Sequence, residues 1–229
     1  AYAQKEQPDE MPRLHLRASI WFEHSGQTAE AVQHALQAGD LERVAALAER
    51  AWPAMEHNRE SNIWLRWVAH LPEGMIATRP VLGAACAWAL LDAGELEAAE
   101  ARLQVVEQWL ARAGQGPDRA QAFVDAAQFE ALPATVAAAR TYLALTRGDL
   151  PATQQYARQA LSLIPAKDHQ RRGTPAALLG LATLASGDLQ VAYDAFSAAM
   201  TSYQKAGNTL YAITGTFILA DIRLAQGQL

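Results

Sequence analysis

The sequence predicts an all-α chain of stacked helical hairpins, a solenoid that coils into a right-handed superhelix. Two features predict it: a glycine turn that recurs along the chain, and helical spacing of apolar and small residues between the turns. The turn reads Gly, then an acidic or amide residue, then Leu, at Gly39-Asp40-Leu41, Gly94-Glu95-Leu96, Gly148-Asp149-Leu150, Gly187-Asp188-Leu189 and Gly227-Gln228-Leu229. Glycine suits the left-handed position that ends a helix, and an acid just after it sits at the positive start of the next helix. Each copy therefore joins two antiparallel helices. The last three glycines are 39 and 40 residues apart and the earlier ones 55 and 54, so two units carry extra material.

Between turns, Leu178, Leu181, Ala182 and Ala185 recur at helical spacing, as do Ala192, Phe196, Ala199 and Met200 on the following helix. A single hairpin cannot bury its apolar face, whereas stacked hairpins share one core. Placed on Gly187, the tetratricopeptide pattern puts Leu179-Gly180, Ala192, Phe196 and Ala199 on its signature positions. The Gly148 copy keeps Ala160 and Pro165 but has Arg140-Thr141 in place of Leu-Gly, and the Gly94 copy keeps Ala99 and Leu103. Two stretches break the period: Glu56 to Arg79, and Ala113 to Pro133, where Gly114-Gln115-Gly116-Pro117-Asp118 reads as a turn. The expected organisation is one helical-repeat domain over 1–229. Its N-terminal hairpins span 1–57, distorted repeats 58–133 and clearer tetratricopeptide-like repeats 134–229.

Composition narrows the function classes. Half of the 229 residues are apolar and 19% charged, enough for a buried core. A membrane span needs about 18 consecutive apolar residues, and the best run, Val81 to Leu91, stops short of that between Pro80 and Asp92. One cysteine, Cys86, forms no internal disulfide, and no basic segment followed by an apolar stretch opens the chain. The expectation is a cytoplasmic protein with no membrane contact. A net charge of −5 without a basic block argues against direct contact with a nucleic-acid backbone. No Gly-Lys dipeptide occurs, so no phosphate-cradling loop is expected and these residues need no cofactor of their own. A start at Ala1 and a stop inside the fifth turn read as a segment of a longer chain.

The N-terminal run Leu14-His15-Leu16-Arg17-Ala18-Ser19-Ile20-Trp21-Phe22, Gly26, then Glu30-Ala31-Val32-Gln33-His34-Ala35-Leu36-Gln37-Ala38-Gly39-Asp40, resembles the start of the helical region of MalT-like regulators. These are large signal-transduction ATPases of the STAND class that end in a LuxR-type DNA-binding domain. The likeness continues through Trp64-Leu65-Arg66-Trp67, Leu71-Pro72, Arg79-Pro80, Ala87-Trp88-Ala89-Leu90-Leu91 and the Gly148 and Gly187 repeats with Ala206-Gly207-Asn208. It implies a sensor region that receives a small-molecule effector or a regulatory protein. ATP then binds an upstream domain, and DNA is bound by a domain following Leu229.

No catalytic constellation is expected, so the chain is read as a non-enzyme. The histidines at 15, 24, 34, 57, 70 and 169 offer no metal-ligand spacing, and Cys86 lacks an activating base. Arg147-Gly148-Asp149 is one more copy of the turn. In a solenoid the first helix of each hairpin lines the concave wall. Counting back six from each turn glycine selects Gln33, Trp88, Tyr142, Leu181 and Asp221, with Asp92 and Thr146 one turn further on. Trp88 and Tyr142 are the candidates to stack on a flat or sugar-like ligand, and Asp92, Thr146 and Asp221 to fix its polar groups. The alternative for Trp88 and Tyr142 is that they fill gaps between degenerate repeats. Trp21-Phe22 and Trp64 with Trp67 are expected to pack the first hairpins or to cover a docking surface. Two functions follow: a sensor domain of a MalT-like regulator, or a scaffold that holds a peptide or partner helix in its groove. Self-association is open on either.

Overall fold

The computed structural model describes residues 10–112 and 125–228, and over them the protein is all-α, with no strand. The turn expected at Gly114–Asp118 lies outside the described residues. In chain order the helices are α1 (Glu10–His24), α2 (Thr28–Ala38), α3 (Leu41–His57), α4 (Ser61–Val68), α5 (Glu73–Thr78), α6 (Pro80–Asp92), α7 (Leu96–Arg112), α8 (Ala126–Thr146), α9 (Leu150–Leu163), α10 (His169–Ala185), α11 (Leu189–Lys205) and α12 (Thr209–Ala225). They form two compact units, Ala1–Phe129 and Glu130–Leu229.

The predicted turns form as the local chemistry demands. Gly39, Gly94, Gly148, Gly187 and Gly227 all have φ between 71° and 85°, the region that an L side chain rarely adopts. Asp40, Asp149 and Asp188 then cap the next helix, each accepting a backbone N–H three residues on at 2.9 to 3.1 Å. Gly26 and Gly207 make two further left-handed turns, at φ 75°. They are followed by Gln27-Thr28 and Asn208-Thr209 and so fall outside the Gly-acid-Leu pattern. The first insertion resolves into two short helices: α3 runs to His57, Arg59 at φ 60° ends it, and α4 and α5 fill the space before α6.

Unit one packs around Val32, Val44, Leu47, Trp52, Trp64, Leu82 and Ala89. Trp64 is wholly buried, with its indole N–H donating to Ala48 O at 2.8 Å and its ring edge-on to Trp52 at 4.9 Å. Ala99 and Leu103, the two positions kept by the Gly94 copy, are both fully buried. Glu49, also fully buried, faces Arg79 at 3.5 Å, and Arg79 bonds Glu42 at 2.5 Å. That guanidinium neutralises a charge whose burial alone is costly.

In unit two α11 is a ridge of large side chains. Phe196 lies over Gly180 of α10, where a methyl group would stand 2.7 Å from its ring; Tyr203 fills the notch at Gly173 and Met200 the notch at Gly215 of α12. Leu179, Ala192 and Ala199 are buried as the signature requires. Thr141, which replaces the signature glycine in the Gly148 copy, is also buried, and its hydroxyl donates to Ala137 O at 2.8 Å. One pattern differs from the expectation. Leu178 and Ala182 are buried, but Leu181 is 38% exposed and Ala185 is at the surface. The buried face of α10 instead runs through Gly173, Ala176, Leu179, Gly180 and Thr183, because both neighbours, α9 and α11, contribute to it.

Candidate functional site

Of the positions six before each turn glycine, Gln33, Leu181 and Asp221 are exposed and Trp88 and Tyr142 half-buried. The candidates fall into separate groups within the two units.

In unit one, Trp88 and Asp92 stand one turn apart on α6. Trp88 leans against the core of that unit. Asp92 is exposed, and its carboxylate accepts the Ser61 hydroxyl at 2.6 Å, which ties α6 to the start of α4. Glu56 reaches the surface, but the protein packed round its carboxyl, and second the charge of Asp92, push it up to about 7. Trp88 and Asp92 thus offer a half-buried indole one turn from an exposed carboxylate. Such a set stacks on a flat face and accepts hydrogen bonds from hydroxyl or amino groups.

In unit two, Tyr142 and Thr146 lie one turn apart on α8. Thr146 is exposed, and its hydroxyl donates to Leu143 O at 2.9 Å, so its proton is used internally. Asp221 is an exposed carboxylate on α12. Close to it in sequence, Arg223 lies over the ring of Tyr193 at 3.7 Å and lowers that phenol's pKa, first by hydrogen bonding to it.

Sequence spacing missed one contact. His15 and His34, 19 residues apart, bring their Nδ1 atoms to 2.8 Å, and His34 stacks on Phe22 at 5.2 Å. A bond between two such nitrogens needs one protonated and one bare partner. No local pattern reports it, because the two residues meet only when α1 packs on α2. Among the described residues no group of three or more His, Cys, Asp or Glu is placed to hold a metal. Cys86 is buried, and burial pushes its thiol up to about 12, so it stays protonated and unreactive. Trp67 is half-buried against the same core that encloses Trp64, so this pair packs, whereas Trp21 is 60% exposed. No helix among the described residues is long and apolar enough to cross a membrane.

Paired helices with left-handed glycine turns, Asp caps and a buried Gly-Phe signature contact define a tetratricopeptide-like helical solenoid. More particularly, residues 134–229 match the family model of the MalT-like TPR region, and the chain carries a MalT-like helical tetratricopeptide region. It is 26% identical over 219 residues to the HTH-type transcriptional regulator MalT of Yersinia enterocolitica, which covers 95% of this chain and 23% of that protein. A shorter stretch of 76 residues is 41% identical to the serine/threonine-protein kinase PknK of Mycobacterium tuberculosis, and the same holds for PknK of Mycobacterium bovis; that is 33% of this chain and 7% of the kinase. The chain thus spans well under a third of the length of these curated relatives.

Proposed function

We propose that this chain is the effector-receiving and partner-binding region of a MalT-like transcriptional regulator, acting in the cytoplasm without a catalytic step or cofactor of its own. The observation that carries this reading is the likeness to MalT along 95% of the chain, with the family match over its second part. ATP binding and LuxR-type DNA binding belong, on this reading, to other parts of the regulator. The effector contacts Trp88 and Asp92 in unit one, or Tyr142, Thr146 and Asp221 in unit two. It acts by binding one state of the regulator better than another, since only differential affinity shifts an equilibrium.

A thermal-shift screen against sugars, amino acids, nucleotides and lipids tests it. A ligand at 100 times its Kd stabilises by about 2.7 kcal/mol, which is about 5 to 10 °C for a chain of this size. A shift with one class, lost in Trp88→Ala or in Tyr142→Ala, supports the sensor and chooses between the two units. Silence across the panel rejects a small-molecule effector. A second reading is a scaffold whose groove holds a peptide or protein. The stretch shared with PknK favours it, because a similar region there accompanies a protein of different activity.

A further inference from the structure

His15 stands one turn before the buried Ser19 on α1, and His34 stands next to the buried Ala35 on α2; both are half-buried where these helices pack. Their Nδ1 atoms are 2.8 Å apart and their ring centroids 5.1 Å. Two five-membered rings can hardly stand further apart at that nitrogen distance, so both nitrogens lie on the line joining the ring centres. Each lone-pair axis therefore points at the other nitrogen. At 2.8 Å the space between them holds a single proton, donated by one ring and accepted by the other.

Two imidazole nitrogens aimed at each other from packed helices are also a donor set for a metal that prefers two ligands in line. Soft monovalent cations with a filled d shell, copper(I) and silver(I), have that preference, and imidazole is an ordinary ligand for copper. Zinc needs three or four converging ligands, and among the described residues no such group of His, Cys, Asp or Glu occurs. We propose that His15 and His34 form a two-coordinate site for copper(I), which replaces the proton they share. Each metal–nitrogen bond is about 2 Å, so the nitrogens must part from 2.8 Å to about 4 Å. Phe22 stacks on His34 at 5.2 Å with the ring planes 10° apart and holds that ring, so the opening falls on half-buried His15. The helices need not move with it. Ser19 donates to Ala31 O at 2.7 Å and accepts Arg43 Nε at 2.7 Å, which pins α1 to both α2 and α3. The charge of Arg43 is offset by Glu23 at 2.5 Å, and Glu30, one turn before His34 on α2, is an exposed carboxylate. On binding, the donor ring gives its Nδ1 proton to solvent and takes one from solvent at Nε2. Both rings then bind neutral, and no oxidation state changes. This inference goes beyond the effector reading and does not depend on it.

The test uses the whole chain, with silver(I) as a redox-inert probe and copper(I) delivered from its bicinchoninate complex under reductant. Stoichiometric binding is expected, and long-range proton–nitrogen NMR is expected to show both Nδ1 signals shifted while both Nε2 atoms stay protonated. Loss of an outer-shell partner alone weakens metal binding by about 10- to 100-fold, so losing a ligand, in His15→Gln or in His34→Gln, is expected to weaken it by more than about tenfold. Circular dichroism checks that each variant keeps its helices; if His34→Gln does not fold, His15→Gln, at the ring that moves, decides alone. Zinc at the same concentration is expected to leave both Nδ1 signals in place. No binding of either probe overturns the proposal, as does binding that is unchanged in His15→Gln. So does binding lost only in Cys86→Ala, which would put the metal on the thiol, or equal capture of zinc at the two Nδ1 atoms, which would show that the pair is not linear.

Discussion

Trp64→Ala removes the side chain on which the first unit closes. The indole is 0% exposed, donates to Ala48 O at 2.8 Å and meets Trp52 edge-on at 4.9 Å, so truncation loses burial, a hydrogen bond and an aromatic contact and leaves a cavity. Such a change costs about 3 to 5 kcal/mol. With a urea m-value of about 1 to 3 kcal/mol/M, the midpoint falls by about 1 to 5 M. Trp64→Phe keeps the ring contact and loses mainly the hydrogen bond, about 1 kcal/mol. Trp88→Ala is the comparison: half-buried against the same core, its side chain contributes about 1 to 2 kcal/mol of burial. The assay is urea unfolding followed by far-UV circular dichroism, which does not depend on the deleted fluorophore. If Trp88→Ala destabilises more than Trp64→Ala, the assignment of Trp64 to the core and Trp88 to the surface is refuted.

Gly173→Ala places a methyl group against the ring of Tyr203, which is itself stacked on Tyr211 at 5.1 Å and has little room to retreat. Overpacking is expected to lower stability by about 1 to 3 kcal/mol, whereas Gly74→Ala, with nothing within 4 Å, is expected to be neutral or to gain up to about 1 kcal/mol; thermal unfolding of the two variants separates packing from propensity. The Glu56 carboxyl, raised from 4.5 to about 7, binds its proton more tightly in the folded protein. Its contribution to stability is therefore present below about pH 4.5, declines as pH rises and is lost above about 7. Glu56→Gln is expected to flatten the Tm profile between those limits, and an unchanged profile would remove Glu56 from the account.

Much of the hairpin plan was legible in the sequence, because its signals act over a few residues. A left-handed glycine and an Asp that caps three residues ahead are fixed by φ and one hydrogen bond, and they set the register for the whole repeat. Of the positions that register selected, Asp221 is exposed, whereas Trp88 and Tyr142 are half-buried. It also put Gly180 and Phe196 on signature positions, and the structure brings the two together. It did not separate Trp64 from Trp88, because both are tryptophans in apolar helices and only neighbours distant in sequence decide which is enclosed.

By itself, then, the sequence determined the five Gly-centred turns and so which helices pair across them. Only the tertiary structure decided which faces are covered, as with Leu181 and Ala185 at the surface while Gly173 and Thr183 are enclosed. It alone joined His15 to His34, Ser61 to Asp92 and Arg79 to Glu49, and left Phe217 exposed on α12. The physical reason is range: turns and caps are bonds between residues a few positions apart, whereas burial and ion pairing depend on surfaces that meet only after the helices have packed.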